Sequence, residues 1–300
     1  MSQTATPRQG RRAAGILPGV ATPEGEGIIV HRPFPSYAAR EIDPFLLLDR
    51  LGPIDIAPGG GGGVPPHPHA GFEVVSYLLQ GGLEHRDSAG HHGRLAPGDV
   101  QWMTAGAGII HSEMPTDDLR LRGGTLEAVQ LWINLPARDK QLPPRYGDIV
   151  AAALPTATSP DGLASVRVIA GEALGARASL PLRTPITYLH WTLSPGAVVH
   201  QPLPEGTVAL AYVLAGEAHA GSDALPATRD QLVTFEGDRG PVTLRVPADG
   251  ARTEVLLLAG PPTGEPVARS GPFVMNTMAE IRQVIEKYRA GGLGVIRTTG

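Results

Sequence analysis

The sequence predicts an all-β, turn-rich protein, and three observations lead there. The chain holds 39 Gly and 30 Pro in 300 residues, nearly double the average usage of roughly 7% and 5%. Both residues are poor in helix interiors, which excludes a helical bundle or a coiled coil. Next, 42% of residues are hydrophobic and 18% charged, enough apolar surface to form a core and too little charge for a disordered chain. Collagen is excluded because no Gly-x-y period exists. Finally, short β-rich stretches alternate with turn signals at regular spacing, the pattern of a sandwich or barrel and not of a βαβ fold.

In chain order, residues 1–26 read as a flexible tail, because Pro18 and Gly19 interrupt its short apolar stretch. A first β unit spans 27–142. It opens at Gly27-Ile28-Ile29-Val30 and continues through Asp43-Pro44-Phe45 to Asp49. The glycine run Gly59 to Gly63 lacks a following Lys-Ser/Thr and precedes no helical pattern, so it reads as a loop feeding a strand and not as a phosphate loop. Strand candidates follow at Phe72–Leu79, Leu83–Asp87, Val100–Thr104, Ile109–Met114 and Leu126–Leu135. Trp102 and Met103 straddle one of these strands, whereas Phe45, Phe72 and Trp132 read as core. A second β unit, 143–300, repeats the rhythm and suggests a duplication. It ends in a helix over 277–289, where Asn276 or Thr277 can cap, Glu280 completes a capping box, and Ile281, Val284, Ile285 and Tyr288 form one stripe.

Charge and cysteine content exclude several functions. With 25 basic and 29 acidic residues the formal net charge is -4, so no nucleic-acid footprint is expected. The absence of Cys excludes disulfides, thiolate metal sites and a Cys nucleophile. No apolar run approaches the roughly 18 residues of a membrane span, and the arginine-bearing N-terminus lacks the apolar stretch of a signal peptide. A cytoplasmic protein is expected.

The chemistry concentrates between His67 and Glu113. His67-Pro68-His69 is answered by His111-Ser112-Glu113. Residues at i and i+2 on a strand share a face, so two such pairs on adjacent strands would converge three imidazoles and one carboxylate on a metal. Each pair alone is weak: a chance His-x-His is expected about a third of the time at this histidine content. Their joint placement at strand ends makes a metal site the expected feature. His85 and Asp87 share a face and would stand behind the ligands or line the pocket mouth. His91-His92 reads as a solvated loop, and His190, His200 and His219 as isolated barrel or surface residues.

The segments Pro66 to Glu73, Glu84 to Ser88, Pro97 to Gly106 and Gly108 to Pro115 together resemble the pirin family of the cupin superfamily. Asp43-Pro44-Phe45 with Asp49, Gly264-Glu265-Pro266 and Gly271-Pro272-Phe273-Val274-Met275-Asn276-Thr277 extend the resemblance over residues 27 to 290. It implies two cupin-type β-barrel (jelly-roll) domains, the first holding a metal through His67, His69, His111 and Glu113 and the second without one. Glu73 stands where many other cupins carry a ligand.

The resemblance implies one divalent transition metal, with Fe(II) first and Zn, Ni, Co, Cu or Mn fitting the same donors. It implies a dioxygenase that cleaves a flavonol such as quercetin with O2, releasing carbon monoxide, with Glu113 as the catalytic group that takes the hydroxyl proton. The family also includes co-regulators of transcription. The alternative is therefore a non-enzymatic iron- or redox-sensing protein that engages a regulatory or metabolic protein partner. A monomer is expected.

Overall fold

The computed structural model describes residues 10–297. The chain forms two compact units, each gathered from three stretches of sequence. Among the described residues, one comprises 20–153, 181–184 and 263–297; the other comprises 10–19, 154–180 and 185–262.

The first unit contains two antiparallel sheets. Its seven-stranded sheet runs Arg145–Ile149, Val100–Thr104, Phe72–Gln80, Gly124–Asn134, Phe45–Ile56, Ile28–Phe34 and Val20–Glu24 in spatial order. Its four-stranded sheet runs Val64–His69, Ile109–Pro115, Leu83–Asp87 and His92–Leu95. The strands nearest the core are apolar at almost every position: seven consecutive residues from Phe72 to Leu78 are buried. Side chains from both sheets meet in shared clusters, with Leu46, Val74 and Met103 packing with Ile109, and Leu78 and Leu126 packing with Leu83 and Leu95. Two antiparallel sheets closed over such a core form the double-sheet barrel of a cupin. The glycine run Gly59 to Gly63 is a loop leading into the Val64–His69 strand.

The second unit repeats this plan. An eight-stranded sheet centres on Val208–Ala215, Thr253–Gly260 and Thr187–Leu193, and a four-stranded sheet runs Val198–Gln201, Val242–Arg245, Glu217–Ala220 and Leu225–Thr228. Its core is built from Val, Leu, Ala and Trp191 contributed by both sheets.

Two boundaries differ from the sequence reading. The segment expected as a tail is ordered from residue 10: Ala13–Pro18 pairs with Gln231–Phe235 in the second unit, and Val20–Glu24 pairs with Ile28–Phe34 in the first. Arg11, 2% exposed, donates to the carbonyls of Thr207 (2.6 Å), Gly240 (3.1 Å) and Asp238 (3.1 Å). Backbone pairing and a satisfied guanidinium order this stretch, and neither leaves a hydrophobic run to read. The rest of the expected tail, residues 1–9, lies outside the described residues.

The second difference is at the C-terminus. Residues from 263 onward belong to the first unit and not to the second. The helix Met278–Arg289 forms with Thr277 as N-cap and a complete capping box with Glu280. Its buried face, Ile281 and Val284, packs with Ala70, Phe273, Met275 and Leu293. Ala70 follows His69 directly, so the C-terminal segment braces the strand that carries the first histidine pair. Gly71 turns away from that strand at φ 87°; a Cβ there would collide with the Val274 carbonyl oxygen, so glycine is required.

Candidate metal centre

His67 and His69 sit on the Val64–His69 strand and His111 on the adjacent Ile109–Pro115 strand, where His111 pairs directly across from His67. Alternation along the strand puts both members of the first pair on one face, with Pro68 fixing the backbone between them. The three rings converge: their centroids are 4.6 Å (His67–His69), 4.2 Å (His67–His111) and 4.7 Å (His69–His111) apart. They are the one group of three or more metal-capable side chains among the described residues.

Their protonation suits a cation. Burial, together with the neighbouring His67, holds the His69 imidazole well below its ordinary pKa. Burial, with His67, His69 and His85 around it, does the same to His111. Both rings are therefore neutral near pH 7 and present lone pairs. His67 Nδ1 lies 2.9 Å from the Pro65 carbonyl oxygen, an acceptor, so Nδ1 carries the proton and Nε2 is bare.

Two observations test whether a metal fits. His67 Nε2 and His69 Nε2 lie 3.1 Å apart, within the ~3.0–3.4 Å between ligand nitrogens bound at about 2.1 Å in octahedral to tetrahedral sites. The Nε2 of His111 is buried without a hydrogen-bond partner, a costly arrangement for a polar atom. A divalent ion would satisfy all three nitrogens, so the donor set fits.

Glu113 is placed differently from the histidines. The register shifts between His111 and Glu113, so Glu113 pairs opposite Val64. It falls outside the three-histidine group. Its carboxylate accepts from Gln130 Nε2 (2.9 and 3.1 Å) and from Ser76 Oγ (3.1 Å). It nevertheless lines the same cavity as His67 and His69. Trp132 Nε1 donates to Gln130 Oε1 at 2.9 Å, which aims the amide nitrogen at Glu113. Glu73 is spent elsewhere: it accepts from Thr104 Oγ1 (2.7 Å) and the backbone N–H of Arg183 (2.9 Å). Burial raises its pKa against those bonds.

His85 is buried, with Nδ1 3.4 Å from His111 Nδ1. Its Nε2 lies 3.5 Å from Asp87 Oδ2. Burial acts to raise the Asp87 pKa, but the neighbouring His85 ring and hydrogen bonds from the backbone and ring of His91 outweigh it and hold the carboxylate low. His91 lies in the expected loop, partly exposed, and its ring is also tied to Asp87 at 2.8 Å. Tyr146 lies between two histidines, nearly parallel to His85 (4.7 Å, 22°) and to His91 (5.2 Å, 18°). In the second unit, His190 lies 3.6 Å from Glu254, His200 bonds Thr243 and His219 bonds Glu217; none joins a metal-capable group among the described residues.

A cavity of about 490 Å³ opens over the histidines, within the roughly 300–1,000 Å³ of small-molecule sites. Trp132, expected as core, stacks on Phe72 (4.2 Å, 24°) and meets His69 edge-on (4.8 Å, 73°), yet it also forms cavity wall. The second unit has a larger cavity, about 890 Å³, whose lining contains no histidine.

Sequence reasoning missed Ser76, Gln130, Tyr146 and Arg269. Ser76 and Gln130 had a partial signal, since each is an uncharged polar residue flanked by apolar or aromatic neighbours within its strand. Tyr146 and Arg269 had none, because their neighbours come from distant parts of the chain.

Comparison with known proteins shows the family of the chain. The pirin family model matches residues 27–133, and that of the pirin C-terminal cupin domain matches residues 188–294. Pirin-like protein 2 of Arabidopsis thaliana is 41% identical over 275 residues, covering 90% of this chain and 82% of that protein. Human pirin is 42% identical over 270 residues, covering 89% and 88%. Among solved structures, a quercetin 2,3-dioxygenase from Acinetobacter baumannii superposes with a TM-score of 0.88 at 34% identity, over 96% of this chain and 99% of that one. The chain belongs to the pirin family.

Proposed function

We propose that the protein is a metal-dependent dioxygenase acting on a flavonol-type substrate. The observation that carries this reading is the convergence of His67, His69 and His111 beside a 490 Å³ cavity whose wall includes His67, His69 and the Glu113 carboxylate. The likeness to a quercetin 2,3-dioxygenase supports the substrate class.

His67, His69 and His111 hold the metal, with Glu113 as its fourth protein ligand and Fe(II) as the ion. When bound, a redox-capable ion supplies an electron path between an organic anion and O2. The chain's own groups do the rest. Glu113 takes the proton of the substrate hydroxyl on a carboxylate oxygen, and Gln130 and Ser76 hold that carboxylate in place. Trp132 and the aliphatic wall of Ile28, Val30, Leu47 and Leu51 present apolar surface to a flat aromatic ring and keep water from it. O2 uptake and carbon monoxide release with quercetin on the iron-loaded protein are the expected results. Absence of turnover with every first-row metal overturns the reading.

A second reading is favoured by the ring column from His111 through His85 and Tyr146 to His91, whose side chain is 39% exposed. Such a column ties the ligands to the surface, as a metal-state sensor with a protein partner would need. A partner captured by the Fe(III) form and not by the Fe(II) form, without oxygenase activity, would select it.

A further inference from the structure

Arg269 lines the cavity over the histidines, and its bonding leaves it unusual among the cations there. Its Nε donates to the Gly271 carbonyl (3.3 Å) and its Nη1 to the Leu46 carbonyl (3.2 Å). Among the described residues no carboxylate forms an ion pair with it, and its Nη2 makes no hydrogen bond. The guanidinium carbon lies 5.1 Å from the centroid of the Trp132 ring, which also meets Phe72 and His69. Arg269, Trp132 and His69 thus form a continuous stretch of wall from a cation to the metal ligands.

The other charges nearby are already committed. Arg32 takes both oxygens of Asp49, at 2.7 and 2.5 Å, and also bonds Glu24. Asp49 is 4% exposed, so that pair is closed. Glu24 stands at the rim with its side chain 41% exposed, where solvent screens it. Burial and then the nearby Arg32 oppose the charge of Arg269, and Asp49, Glu41 and Glu24 favour it only from a distance. A half-buried guanidinium with an open donor edge, partly desolvated and stacked on an aromatic face, is built to receive an anion.

We propose that this cavity takes an aromatic ligand carrying two ionised oxygen groups, one directed at the histidine centre and the other bound by Arg269. The inference rests on the flavonol reading and narrows it, from a flat phenol in general to a phenol with a second acidic substituent at its far end. It adds a specificity-determining residue supplied by the C-terminal segment.

Full-length protein loaded with Zn(II) and kept free of O2, the co-substrate of the proposed reaction, separates binding from catalysis. Quenching of tryptophan fluorescence, to which Trp132 contributes, reads the affinity for two matched pairs: quercetin against quercetin sulfated on its catechol ring, and naphthol against hydroxynaphthoate. The anionic member of each pair should bind about tenfold more tightly than its neutral partner, the difference expected of one charge-assisted contact. Arg269→Gln should shrink that ratio to about twofold or less, with the neutral ligands nearly unchanged, and Arg269→Lys should fall between. A merely structural role for Arg269 would weaken all four ligands together.

Equal affinities within both pairs for the wild type, or a ratio that Arg269→Gln leaves intact, overturns the proposal. If Arg269→Gln does not fold, the wild-type ratios and the Arg269→Lys ratio decide the matter. Binding of both flavonols without an Arg269-dependent difference sinks this inference and leaves the flavonol reading standing. An Arg269-dependent preference for hydroxynaphthoate when neither flavonol binds does the reverse.

Discussion

At the scale of single residues, the centre depends on groups with one task each. Replacing His67 or His111 with Ala should abolish stoichiometric metal uptake while leaving both units folded, since these rings contribute little to the apolar clusters. Metal analysis with circular dichroism checks both halves. Gln130→Ala should weaken metal affinity or activity by about 10–100-fold, the usual cost of losing a group that orients a ligand; calorimetric metal titration reads it. Lys140 gives a pH signature. Its Nζ is buried against the Gly71 carbonyl (2.7 Å), Asn134 Oδ1 (2.7 Å) and the Val274 carbonyl (3.2 Å). Burial pulls its pKa down from 10.5 to about 8, against the distant pull of Glu265 and Glu280. Between those two values the unfolded chain binds more protons than the folded one, so stability rises with pH across that window. The full effect is on the order of 3 kcal/mol. Urea unfolding from pH 7 to 10.5 should show this rise in the wild type and not in Lys140→Met.

At the scale of elements, the strand pair Val64–His69 and Ile109–Pro115 and the helix Met278–Arg289 were the most legible parts of the chain. The histidine pairs could be read because strand periodicity fixes which side chains share a face. The helix could be read because its cap and its stripe are local. Thr277 Oγ1 accepts from the Glu280 N–H at 3.2 Å and Glu280 Oε2 accepts from the Thr277 N–H at 2.8 Å. Thr277→Ala should therefore cost about 1 kcal/mol, visible as a lower unfolding midpoint. The position of Glu113 was not legible to the same degree. The irregularity after His111 changes its cross-strand partner, and a bulge of this kind leaves no mark in an alternating pattern. The Gln130 and Ser76 contacts to Glu113 depend on three strands meeting, which no local window contains.

At the scale of the whole molecule, the two β units were legible as a repeated rhythm, but their membership was not. Alternation tells a strand which face to bury and says nothing of which barrel it joins. Ala13–Pro18 serves the second unit, and the residues from 263 onward serve the first. Deleting residues 1–19 should lower the unfolding temperature through the second unit, where the Arg11 bonds and an edge strand are lost. Metal content should not change, because every candidate ligand lies in the other unit. Thermal scans paired with metal analysis test this directly.

The return of the C-terminal segment sets an order of events during synthesis. The three histidines leave the ribosome early, but Arg269 and Pro272 of the cavity wall, and the helix that braces Ala70, follow more than 150 residues later. A nascent chain can hold the metal-binding strands long before it has a closed pocket. The cavity wall is complete only once the segment carrying Arg269 and Pro272 has been made.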